Sequence, residues 1–142
     1  MVKVAVIGAG SVEFTRNIVT DLCSFPELQG RLEFSLHDID RDRLEYAEAL
    51  VRRVSEQSGA GAKVTSDANR LAAVEGSDYV LNEIQVGGYA ATRADFDIPA
   101  RYGVRQTISD TIGIGGIFRG LRTIPVLMYR RRSRWDAEDV WN

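Results

Sequence analysis

An α/β fold with a doubly wound parallel sheet is predicted by three features of this 142-residue sequence. The first is the run Val2-Lys3-Val4-Ala5-Val6-Ile7, almost continuously apolar and rich in β-branched residues, as in a strand buried on both faces. The second is the glycine turn Gly8-Ala9-Gly10, which that run enters directly. The third is the alternation of strand-like and helix-like patterns from Val2 to Ile84, giving the order β-α-β-α-β-α-β with right-handed crossovers.

Each element has its own signal. After the glycine turn, Phe14, Ile18, Val19, Leu22 and Cys23 fall at helical spacing and predict a helix over 11–23, stopped by Phe25-Pro26. Leu32, Phe34 and Leu36 alternate into a second strand that ends at His37-Asp38-Ile39-Asp40. Leu44, Ala47, Leu50, Val51 and Val54 form the apolar stripe of a second helix, which Ser58-Gly59-Ala60-Gly61 terminates. Lys63-Val64-Thr65 reads as a short third strand, with Asp67 as the N-cap of a short helix over 68–74. A fourth strand is expected over 79–84. From Val86 the texture changes to glycine pairs and polar stretches, with helices expected over 90–101 and 117–129, disturbed by Pro99 and Pro125.

Bulk properties narrow the function classes. With 44% hydrophobic and 27% charged residues the chain can pack a core. A formal net charge of -2 lacks the positive excess of a nucleic-acid footprint. One cysteine allows no intrachain disulfide, and the opening apolar run is too short for a signal h-region or a membrane span. The expectation is a cytoplasmic protein with no nucleic-acid and no membrane partner.

A strand feeding a helix through glycines brings backbone N–H groups to a helix N-terminus, where the dipole favours a pyrophosphate. Gly8 permits the tight turn and Gly10 the close approach, although Glu13 stands where the usual fingerprint has a third glycine. Asp38 follows Gly10 by 28 residues, against the usual interval of about 20, the surplus lying in loop 25–31. Closing the second strand, Asp38 is placed to accept hydrogen bonds from both adenosine ribose hydroxyls and to repel a 2′-phosphate, which favours NAD over NADP. The competing reading is that Asp38 and Asp40 merely cap the next helix, with Asp40 the better cap. This is a Rossmann-type NAD-binding pattern.

Further motifs follow: Val86-Gly87-Gly88, Arg93, Ile98-Pro99, Tyr102-Gly103, Gln106-Thr107, Asp110-Thr111, and Gly115-Gly116 through Leu121-Arg122-Thr123-Ile124-Pro125. Together with Ile7-Gly8-Ala9-Gly10-Ser11 and Asp38-Ile39-Asp40, they resemble glycoside hydrolase family 4. Gln106-Thr107-Ile108-Ser109-Asp110-Thr111 looks most like its α-galactosidase (melibiase) branch. The resemblance covers residues 2–128, which sets a Rossmann-type NAD-binding domain at 1–128 and a divergent tail at 129–142.

The resemblance implies a glycosidase that works through NAD, an exception among glycoside hydrolases. Members transiently oxidise the sugar 3-hydroxyl, a tyrosine base removes the acidified C2 proton, the glycosidic oxygen leaves by elimination, water adds, and the hydride returns. A divalent metal, usually Mn2+, chelates sugar oxygens and stabilises the enolate. Carried onto this sequence, Gly8, Gly10, Ser11, Val12 and Asp38 match the cofactor-binding positions. Arg93 matches an arginine that meets substrate in phospho-sugar members; the alternative is a solvated helix arginine. Asp110 matches the carboxylate that supports the basicity of the catalytic tyrosine; the alternative is a helix cap.

The family's metal-ligating cysteine and histidine, its asparagine-proline loop and its tyrosine base lie beyond the matched segment. No metal ligand is therefore assigned here, and the Mn2+ ligands are expected outside this chain. Cys23 reads as a small buried apolar residue, and His37, without a second His or Cys nearby, does not read as a ligand. After Met128 the resemblance stops at Tyr129-Arg130-Arg131-Arg132-Ser133-Arg134-Trp135, which suggests a truncated or frame-shifted product; a solvated C-terminal helix is the other reading. Expected partners are a small-molecule sugar and, for a full-length protein, a homo-oligomer. Two other classes stay open. A lactate/malate-dehydrogenase-like oxidoreductase would need a full glycine fingerprint and a downstream catalytic histidine, both missing. A non-catalytic dinucleotide-binding module would need neither base nor metal.

Overall fold

The computed structural model describes residues 1–106 and 112–135, and falls into two compact units, Met1–Ile84 and Gln85 onward. In the first unit four strands, β1 (Val2–Ile7), β2 (Leu32–His37), β3 (Lys63–Ser66) and β4 (Tyr79–Asn82), pair in the order β3-β2-β1-β4. All three pairings are parallel. Three helices connect them: α1 (Val12–Ser24), α2 (Arg41–Ser58) and α3 (Arg70–Val74). This is the expected α/β arrangement of a parallel sheet with flanking helices. Its order reverses direction at β1, so the crevice outside the carboxyl ends of β1 and β4 is a topological switch point.

The core follows from the strand pattern. Val4, Val6, Leu32, Phe34, Leu36 and Val64 of the sheet are buried against Val19 and Cys23 of α1 and Leu44, Ala47 and Val51 of α2. Cys23 is only 1% exposed, and burial pushes its thiol up, which suits a small apolar filler.

Three details differ from the local signals. Thr15, not Phe14, faces the core from the first turns of α1, and Phe14 is 65% exposed. Asp67 does not cap α3: its Oδ1 accepts the Asn69 N–H at 2.6 Å, and Asn69 is the cap, accepting the Leu71 N–H at 2.9 Å. The Asp67 turn thus delays the helix by two residues. β4 ends at Asn82 rather than residue 84, because its last partner on β1 is Ile7, beyond which the neighbour turns away at Gly8.

The second unit contains α4 (Gly88–Arg101) and α5 (Ile114–Trp135), both starting earlier than periodicity predicts. Asp95 is buried on α4 and its carboxylate takes both terminal nitrogens of Arg122 on α5, with Nη1 to Oδ1 at 2.9 Å. Gly115, in the first turn of α5, presses on the Asp95 backbone carbonyl so closely that a side chain has no room. That carbonyl is the acceptor Pro99 leaves without its helical N–H. Both helices run through their prolines: Pro99 lies in the last turn of α4, and Pro125 lies inside α5. Residues 136–142 of the predicted tail lie outside the described residues. Among the described residues no helix is long and apolar enough to cross a membrane.

Candidate functional site: the turn between β1 and α1

The site is built where β1 delivers the chain to α1 beside the ends of β2 and β4. Gly8 adopts φ +89, a left-handed conformation that side chains avoid. A Cβ there would lie 2.9 Å from the Glu83 carbonyl carbon and 3.1 Å from the Ile84 nitrogen. At Gly10 a Cβ would lie 2.7 Å from Asp38 Oδ2 and 2.8 Å from Arg43 Cβ. Both glycines are therefore required by the backbone's closeness to its surroundings.

The amides of the turn are largely engaged within the protein. The Gly8 and Ala9 N–H groups both donate to the His37 carbonyl, at 2.8 and 3.0 Å. The Gly10 N–H donates to Asp38 Oδ2 at 2.8 Å, and the Ser11 N–H to the Gly8 carbonyl at 2.9 Å. Ser11 is the N-cap residue of α1, but its side chain makes no capping bond. The unmatched donors are the N–H groups of Val12, Glu13 and Phe14 in the first turn of α1, which have no acceptor within the helix. The helix dipole adds partial positive charge at the same place.

Asp38 stands at the end of β2, half-buried, and its two oxygens accept from Gly10 N–H and, at 3.0 Å, Asp40 N–H. Capping α2 falls to Asp40, whose side chain accepts the Arg43 N–H at 3.1 Å. Gly8, Gly10, Ser11, Val12 and Asp38 thus come together around one turn. His37 is buried with Nδ1 3.0 Å from the Asp67 carbonyl oxygen, a structural contact. Two residues that carried no sequence signal also belong here: Thr15 and Glu83, whose Oε2 lies 2.9 Å from Thr15 Oγ1. The sequence puts Glu83 inside the expected strand over 79–84 and says nothing of which way its side chain turns.

In the second unit, Arg93 lies on α4, largely exposed, with Nη2 3.6 Å from Asp97 Oδ2 and beside Tyr89 and Ile98 in an open hollow. Asp110 lies outside the described residues. Among the described residues no group of three or more His, Cys, Asp or Glu side chains is placed to hold a metal ion.

A parallel α/β sheet with a glycine turn at its switch point defines a nucleotide-binding type of domain. The model of "Family 4 glycosyl hydrolase" matches residues 3–131, so the chain belongs to that family. It is 47% identical over 128 residues to an alpha-galactosidase of Bacillus subtilis (strain 168), covering 89% of this chain and 29% of that protein. It is 40% identical over 126 residues to an alpha-galactosidase of Rhizobium meliloti (strain 1021), covering 89% of this chain and 26% of that one. Among solved structures it is similar to the 6-phospho-beta glucosidase of Thermotoga maritima with manganese, NAD+ and glucose-6-phosphate. The TM-score is 0.79 at 27% identity, covering 92% of this chain and 31% of that chain. The chain spans less than a third of the length of these relatives.

Proposed function

We propose that this chain is the dinucleotide-binding part of an NAD-dependent glycosidase acting on α-galactosides. The observation that carries the reading is the turn itself: two glycines with no room for side chains, next to unmatched helix N–H groups and the Asp38 carboxylate. A pyrophosphate suits the first turn of α1, at Val12, Glu13 and Phe14, and the adenosine ribose hydroxyls suit Asp38. Gly8 and Gly10 let the turn lie close against Glu83 and Ile84 on one side and Asp38 and Arg43 on the other, which fixes where the first turn of α1 presents its N–H groups. NAD, when bound, supplies reversible oxidation of a sugar hydroxyl. The α-galactosidase relatives support the choice of sugar, and the family match favours a hydrolase over a lactate/malate-dehydrogenase-like oxidoreductase.

Manganese is part of the reading for the whole enzyme, since a solved relative contains it. The described residues offer no donor set for it. Arg93 is the candidate contact to substrate, held by Asp97 until a more acidic partner competes. Asp110 is the candidate support for the base. As a 142-residue polypeptide the chain is expected to bind NAD without cleaving glycosides. Calorimetric titration with NAD tests the first half, and heat-free titration overturns it. Release of p-nitrophenol from p-nitrophenyl α-galactoside in the presence of NAD and Mn2+ overturns the second.

A further inference from the structure

Beneath the turn lies a short polar chain that the cofactor reading leaves unused. Thr15 Oγ1 is 2.9 Å from the Ala9 carbonyl oxygen and 2.9 Å from Glu83 Oε2. Ala9 is 0% exposed and Thr15 1%. Glu83 as a whole is half-buried, but its other carboxyl oxygen, Oε1, is enclosed and has no hydrogen-bond partner among the described residues.

Counting protons constrains this chain. A hydroxyl has one proton to donate, and a backbone carbonyl only accepts. If Thr15 donates to Ala9, its contact with Glu83 is a hydrogen bond only when Glu83 is the donor, and so protonated. If Thr15 instead donates to an ionised Glu83, the buried Ala9 carbonyl loses that donor. The charge then also sits with one oxygen enclosed and unbonded, the costliest arrangement for a carboxylate. A neutral carboxyl fits both oxygens: Oε2–H donates to Thr15, and Oε1 remains a weakly demanding carbonyl. Burial acts in the same sense, pushing the Glu83 carboxyl up against a smaller lowering from Thr15.

We propose that Glu83 holds a proton in the folded protein and is a positioning residue for the dinucleotide turn, acting through Thr15 and Ala9, so that dinucleotide affinity falls when the proton leaves. The inference rests on the NAD reading above. Two effects of ionisation act together. The Ala9 carbonyl exchanges its donor for a competitor, which loosens the turn between Gly8 and Gly10. A negative charge also enters beneath a surface that must accept a pyrophosphate. The other charged or titratable groups around the turn do not compensate. His37 faces Asp67, Asp38 faces Gly10 and Asp40, Arg43 lies on the Gly10 side, and Glu13 and Arg16 are exposed on α1. By linkage an anionic ligand holds the Glu83 proton more tightly, so binding takes up a proton where free Glu83 has begun to ionise.

The test is NAD titration across a pH series with the wild-type chain, Glu83→Gln and Glu83→Ala. Glutamine donates to Thr15 at every pH and is never charged. The wild-type Kd is expected to rise about tenfold per pH unit once Glu83 ionises, with Glu83→Gln flat over that range and Glu83→Ala weaker throughout. Parallel profiles for wild type and Glu83→Gln overturn the proposal. An independent readout is the infrared carbonyl stretch of a protonated, half-buried carboxyl, present in the wild-type chain just above the pH at which a free carboxyl has lost its proton. Its presence, and its loss in Glu83→Gln, supports the proposal; its absence from the wild type overturns it, even if the variants fail to fold. Absence of NAD binding at every pH overturns the cofactor reading, and the infrared band then decides by itself whether Glu83 holds its proton.

Discussion

Asp38 engages two backbone N–H groups, those of Gly10 and Asp40, and still lies half-exposed at the end of β2. A carboxylate already oriented by such bonds is preorganised for further donors. Asp38→Ala is therefore expected to weaken NAD binding by about 1–2 kcal/mol, or about five- to thirtyfold in Kd. Calorimetry checks this, and an unchanged Kd would restrict Asp38 to holding the turn. Glu83 carries a prediction about stability whose sign follows from its raised value. The unfolded chain loses this proton in the ordinary carboxylate range and the folded chain only at higher pH. Between the two the folded state binds more protons, so wild-type stability falls as pH rises and levels off above the folded value. Urea unfolding across that range should show the decline in wild type and its loss in Glu83→Gln.

At the level of elements, α4 and α5 are joined by the Asp95–Arg122 pair, with Asp95 only 5% exposed. Removing Arg122 strands the buried Asp95 carboxylate, whereas Arg122 itself is 31% exposed, so Arg122→Ala is expected to cost about 3 kcal/mol in denaturant unfolding. A loss below about 0.5 kcal/mol would place the pair among surface salt bridges. Elements also show where local pattern fell short. Periodicity located α1, yet put Phe14 on its buried face. Phe14 and Thr15 are adjacent, so a rotation of one residue, about 100° on a helix, is invisible to a pattern that counts apolar positions. The short α3 has the same limit: Asp67 and Asn69 are equally good cap residues, and the bonds from the Asn69 N–H to Asp67 and from the Leu71 N–H to Asn69 rank them.

For the molecule as a whole, one surface stands out. Ile117, Phe118, Leu121, Ile124 and Met128 recur at helical spacing on α5, and each is half or more exposed, from 50% to 61%. A contiguous apolar stripe of this kind drives association. Analytical ultracentrifugation of the chain should show concentration-dependent self-association, relieved by Leu121→Lys with Ile124→Lys. A monodisperse monomer at every concentration would count against it.

The strands, their parallel order and the glycine turn were legible from residue types, because buried parallel strands demand long apolar runs and a β-to-α turn this tight demands glycine. The candidates around that turn were legible for the same reason, lying at strand ends or helix starts that pattern locates. Glu83 was not. Nothing in Asn82-Glu83-Ile84 distinguishes a side chain pointing to water from one pointing beneath a neighbouring turn. That direction depends on β4 pairing with β1 from Val4 to Ile7, which sets Glu83 against a turn 75 residues earlier. Local chemistry chose the elements; the register between distant strands chose which carboxyl meets Thr15.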